Sequence, residues 1–117
     1  MKGVGRMKTT ACIVIAASLF AAPVIAGGNA NAGKEKSQVC AGCHGADGNA
    51  TVGANPRLAG QYESYLYRAL TQYKSGARKD LLMGGMVANL SDQDMRDLAA
   101  WFSSQDGNTL SVLPEED

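Results

Sequence analysis

The sequence predicts an all-α domain of three to four short helices. Two segments carry apolar residues at helical spacing, and the stretches around them are rich in glycine. No run alternates apolar and polar residues long enough for a convincing strand.

Gly33 to Ala41 reads as a first short helix, with Asn31 near its start. From His44 to Gly60 the chain carries Gly45, Gly48, Gly53, Pro56 and Gly60, a loop composition. Gln61 to Ser75 reads as a second helix. Tyr62, Tyr65, Leu66, Ala69, Leu70 and Tyr73 follow the i, i+3, i+4 spacing of one buried face, and Gly76 suits the C-cap. Ala77 to Leu90, with Gly84-Gly85 inside it, reads as irregular. Ser91 then opens the last helix. It is a good N-cap, Asp92 and Asp94 favour the positive end of the helix dipole, and Asp94 is a near variant of a capping-box glutamate. Met95, Leu98, Ala99 and Phe102 form its apolar stripe, with Trp101 beside it and Gly107 as the stop.

A chain of 117 residues suits one domain. Eleven basic and eleven acidic residues balance, which argues against nucleic-acid binding. With 45% hydrophobic and 19% charged residues the chain is not a disordered type. Its three cysteines are too few for a disulfide scaffold.

The charge is unevenly placed. Lys2, Arg6 and Lys8 open the chain, and Ala11 to Ala26 is apolar except for Ser18 and Pro23. That order is the pattern of a secretory signal peptide. The apolar run of 16 residues is short for a spanning helix, so no stable membrane insertion is expected after cleavage. Cys12 lies at the start of the run and not at its end, which does not suit a lipoprotein. The cut is expected after Ala26; a cut after Ala32 would leave little chain ahead of Cys40. Translation could start at Met1 or Met7. The expected organisation is a signal peptide over 1–26, a domain over 27–107 and a mobile acidic tail over 108–117. The mature chain then has 91 residues, a net charge of −3 and two cysteines, in a compartment that permits disulfides.

Those two cysteines lie in Cys40-Ala41-Gly42-Cys43-His44. C-x-x-C-H is the spacing of covalent haem attachment: each thiol adds to a vinyl group, and the adjacent histidine supplies the proximal imidazole. A C-x-x-C disulfide would leave His44 unexplained. A thioredoxin-like pair lacks its strand–helix context, and a structural zinc site lacks ligands. His44 is the only histidine, so the sixth iron ligand is methionine, lysine, a terminal amine, water or nothing. The mature methionines are Met83, Met86 and Met95. Met95 fits the stripe of the last helix. Met83 and Met86 bracket Gly84-Gly85, where missing side chains allow close approach of backbone to a porphyrin.

The segments VCAGCHGADGNA, NPRLAGQYESYLYRAL, YKSGAR and MGGMVANLSDQDMRDLAAWFSSQ cover nearly all of residues 33–105. Together they make the chain resemble class I c-type cytochromes, both the small periplasmic monohaem proteins and one half of the two-domain dihaem respiratory proteins. The resemblance implies a cytochrome c-like fold, with three to four helices wrapped around one covalently bound haem c. It implies Met83 as the axial ligand opposite His44, eight residues before the Ser that caps the last helix, with Met86 as the alternative. It also implies that the Pro56 carbonyl accepts the proximal imidazole N–H, and that Gly33 meets Leu98 and Trp101 where the first and last helices cross. Arg57, Tyr62 and Tyr65 are placed near the haem or on the surface. The chain carries one C-x-x-C-H where a dihaem protein needs two. The function implied is a periplasmic one-electron carrier of a respiratory chain, a monomer or weak dimer and not an enzyme, meeting redox protein donors and acceptors transiently at an exposed haem edge. The alternatives are a haem enzyme or gas-binding protein with an open sixth site, and a cytochrome subunit of a larger oxidoreductase.

Overall fold

A computed structural model describes residues 27–107 and the isolated Gly3. The expected signal peptide (Gly3 aside) and the expected acidic tail lie outside the described residues. Five helices follow one another: α1 (Ala30–Lys36), α2 (Gln38–His44), α3 (Glu63–Ser75), α4 (Leu81–Val87) and α5 (Asp92–Ser103). Among the described residues there is no strand, and no helix is long and apolar enough to cross a membrane.

The single helix expected over Gly33–Ala41 is two. Asn31 lies near the start of the first, as expected, and Asn29 caps it: the Asn29 backbone is extended and its side chain accepts the N–H groups of Asn31 and Ala32. Ser37 divides the pair. Its hydroxyl donates to the Lys34 carbonyl at 2.8 Å and so competes for a helical acceptor. Its own carbonyl accepts from both Cys40 and Ala41, which tightens the turn and re-aims the chain into α2.

α3 starts at Glu63 after Tyr62, and Gly76 closes it in the left-handed conformation, φ 78°. Its buried face is narrower than the expected set, because Tyr62 is 80% and Tyr65 42% exposed. Leu66 is buried, and Leu70 and Tyr67 pack partly against the core. Tyr67 was outside the expected stripe. It is drawn in from α5: its hydroxyl donates to Asp92, and the Arg96 guanidinium lies 4.4 Å from its ring centre.

The segment expected to be irregular contains α4. Two glycines cost a helix about 2 kcal/mol. Burying Val87, which is 2% exposed, returns roughly 1.5–3 kcal/mol, and the Asp80 N-cap adds about 1 kcal/mol. Tertiary packing and the cap therefore outweigh the Gly84-Gly85 penalty.

α5 opens with the expected capping box. The Ser91 hydroxyl accepts the Asp94 N–H at 3.1 Å, and the Asp94 carboxylate accepts the Ser91 N–H at 2.8 Å. Met95, Leu98, Ala99 and Phe102 are buried, as their spacing requires. The helix ends at Ser103 with Ser104 as C-cap, ahead of the expected stop at Gly107.

α1 crosses α5 at backbone contact. A Cβ on Gly33 would lie 2.0 Å from the Asp97 carbonyl oxygen and 2.8 Å from the Trp101 Cβ. Asp97 stands in the place expected for Leu98, which instead faces the core. Gly28 repeats the contact, with the Arg96 carbonyl oxygen 1.9 Å from its would-be Cβ. The buried Asp97 carboxylate ties the crossing, accepting from the Asn29 N–H at 2.8 Å, Lys36 Nζ at 2.5 Å and Gln93 Nε2 at 2.8 Å.

Candidate cofactor site

α2 carries three reactive side chains on one face. Cys40, Cys43 and His44 stand at i, i+3 and i+4, the spacing that aligns side chains along a helix. They line a cleft that is open on one side. The opposite wall comes from α4 and its cap: Asp80, Leu82, Met83, Met86 and Val87. Ala54 to Pro56 supply one side, and Leu70 and Tyr73 of α3 another. A deeper recess runs in to Leu66, Ala69, Leu98, Ala99 and Phe102, the core itself.

His44 is 7% exposed, and its Nδ1 lies 2.8 Å from the Pro56 carbonyl oxygen. A carbonyl oxygen only accepts, so this bond requires the proton on Nδ1, and in the neutral ring Nε2 then carries the lone pair. The glycines of the intervening loop make that reach possible. Gly45 and Gly48 adopt positive φ, and the Gly48 carbonyl accepts the N–H groups of Leu58 and Ala59.

Cys40 and Cys43 are not joined by a disulfide. Burial pushes the Cys40 thiol pKa up, and Cys43 adds in the same direction. Reactive redox pairs show a depressed thiol pKa instead, so the thioredoxin-like alternative loses support. Among the described residues no cluster of three or more His, Cys, Asp and Glu side chains is arranged to hold a metal ion.

The residues fit a haem. Two thiols and an imidazole with a free Nε2 face a thioether across an open, mainly apolar cleft that reaches the core. Of the residues singled out in the sequence, Cys40, Cys43, His44, Pro56, Met83 and Met86 all line this cavity. Met95 is buried on α5 and does not line it. Arg57, Tyr62 and Tyr65 do not line it either. Sequence reasoning missed Val39, Tyr73, Asp80 and Leu82. Asp80 left a signal, since an Asp three residues before Met83 is the spacing of an N-cap to its N3 position.

Comparison with known proteins gives a consistent picture. The family model described as cytochrome c matches residues 30–106. Cytochrome c4 of Pseudomonas aeruginosa is 51% identical over 80 residues, covering 68% of this chain and 40% of that protein. Cytochrome c-554(548) of Halomonas halodenitrificans is 42% identical over 82 residues, covering 68% of this chain and 99% of that protein. Among solved structures, reduced recombinant cytochrome c4 from Pseudomonas stutzeri matches with a TM-score of 0.66 and 48% identity, covering 68% of this chain and 47% of that one. The chain thus spans about half the length, or less, of the cytochrome c4 proteins it matches.

Proposed function

The chain belongs to the cytochrome c family, whose cofactor is covalently attached haem c, and from that premise we propose that it is an exported one-electron carrier. Cys40 and Cys43 would hold the haem through thioether bonds, and His44 and Met83 would ligate its iron, with Met86 as the alternative to Met83. Residues 1–26 are the signal peptide, and the mature domain works in the periplasm between redox proteins of an electron-transport chain. It acts as a monomer or weak dimer and performs no chemistry on a substrate.

The observation that carries this reading is the convergence of two thiols, an imidazole and a thioether on one cavity, with His44 Nδ1 on the Pro56 carbonyl. When bound, haem supplies a one-electron Fe(II)/Fe(III) couple. The chain's own residues set how that couple behaves. The Pro56 carbonyl holds the imidazole in one tautomer and one orientation. Leu70, Val87, Leu90 and Leu98 line the cleft and would keep water from the metal site. With a methionine thioether as its second protein ligand the iron would favour the reduced state, and no position would be left open for a substrate. Val39 and Leu82, 61% and 64% exposed, stand at the mouth of the cleft, where a redox partner would dock briefly over a small interface.

A visible spectrum of the oxidised holoprotein tests the reading. The expected result is a low-spin spectrum with the weak far-red band of methionine-bound ferric haem, lost in Met83→Ala with haem still attached. A high-spin spectrum that shifts on adding carbon monoxide would indicate an open sixth site and overturn the carrier. Loss of the band in Met86→Ala alone would move the ligand by one turn of α4.

A further inference from the structure

We propose that Asp80 is a positioning residue for the axial methionine: by holding the Met83 N–H, its carboxylate fixes where the Met83 side chain enters the cavity. This rests on the reading of Met83 as the iron ligand. Asp80 lines the cavity and precedes α4 in extended backbone, φ −156° and ψ 122°, while its Oδ1 accepts the Met83 N–H at 2.8 Å.

A helix of seven residues does not hold itself in water. α4 is held by Asp80 at its start, by buried Val87 at its end, and by Lys74 Nζ, which donates to the Leu90 carbonyl just beyond. Only the first of these restraints acts on Met83 itself. Gly84 and Gly85 follow at once and offer no side chain to wedge the backbone from the other direction. Met86 lies three residues on and lines the same cavity. Fixing Met83 at the third helical position therefore selects which sulfur is presented. Asp80 decides the register of α4, and so the identity of the ligand.

The test uses the full holoprotein and four variants. Asp80→Ala removes the acceptor, and Asp80→Asn keeps an acceptor oxygen without the charge. Asp80→Glu keeps the charge on a poorer cap and serves if the alanine variant does not fold. Ser91→Ala removes the equivalent cap of α5, which holds no cavity methionine. Two readouts apply: amide hydrogen exchange at Met83, and the affinity of the oxidised protein for imidazole. Both are expected to rise about fivefold in Asp80→Ala, the fold-change of a typical lost N-cap. They should rise in Asp80→Glu, and stay near wild type in Asp80→Asn and Ser91→Ala. The proposal falls if Asp80→Ala and Asp80→Glu change neither readout while Met83→Ala abolishes the far-red band. It falls equally if Asp80→Asn behaves like Asp80→Ala, or if Ser91→Ala raises imidazole affinity as much. If Met83→Ala leaves the band intact, the ligand reading fails and takes this inference with it, while slow Met83 exchange still reports the cap.

Discussion

Gly33 packs so closely on α5 that a Cβ at its position would sit 2.0 Å from the Asp97 carbonyl oxygen. The neighbour is backbone, so it cannot turn aside as a flexible side chain would. Gly33→Ala must separate the two helices, and is expected to cost about 3 kcal/mol, the upper part of the range for overpacking. Gly53, with nothing within 4 Å of its would-be Cβ, is the control: Gly53→Ala should change stability by less than about 0.5 kcal/mol. Guanidinium unfolding of both holoproteins measures the contrast.

The same crossing gives stability a pH dependence. Burial opposes ionisation of Asp97 and is the largest single influence. The Asn29 N–H, Lys36 and Gln93 together outweigh it and hold the carboxyl below the usual range. Asp94 is also depressed, first by Lys36 and then by Ser91. A depressed carboxyl contributes stability that is fully present above its unfolded value of about 4, and that is lost as pH falls through the lower folded value. Lys36 is raised by Asp94 and then by Asp97, so its contribution is present below about 10 and is lost as pH rises through the folded value. Unfolding midpoints should therefore be level between these limits and drop outside them. In Asp97→Asn the acid-side drop should be shallower from a lower plateau, measured by denaturant titrations at pH 3 and pH 6.

Cys43→Ser should abolish the normal double thioether linkage. The cofactor cavity continues into Leu66, Leu98, Ala99 and Phe102, so a domain without haem lacks part of its core. Denaturing mass spectrometry should show no doubly attached haem, and circular dichroism should show a largely unfolded chain. A folded, haem-free domain would count against the proposed role of the cavity.

The maturation site is expected after Ala26. Gly28 packs on the Arg96 carbonyl, and Asn29 caps α1 while its N–H bonds Asp97. A cut after Ala32 would remove all three contacts. The intact mass of the exported protein should correspond to a start at Gly27. Asn29→Ala should lower stability by about 1 kcal/mol without changing the visible spectrum.

Where local chemistry decides structure, the sequence was readable. The Ser91–Asp94 box, the stripe through Met95, Leu98, Ala99 and Phe102, and the left-handed stop at Gly76 depend on near neighbours, and each stands as its spacing implied. The thiols and imidazole were legible because attachment chemistry demands one spacing. α4 was not, because Gly84-Gly85 reads as a breaker until Val87 is known to be buried. The division at Ser37 arises from a hydroxyl that takes the Lys34 carbonyl. Tyr67 turns inward because of Asp92 and Arg96, which lie 25 and 29 residues further on. Distant partners of this kind leave no periodic trace.

The tie between Asn29 and Asp97 joins positions 68 residues apart and encloses the whole cofactor-holding stretch in a loop. Closing such a loop carries an entropic penalty of about 4 kcal/mol, and the clasp of α1 on α5 meets it without using any side chain of the cavity. As the proposed iron ligand, Met83 would search a tethered volume instead of that of a free chain. Its effective concentration at the opposite wall is set by residues that never touch it. Loosening the clasp should therefore register as slower recapture of a detached methionine, even where the equilibrium spectrum is unchanged.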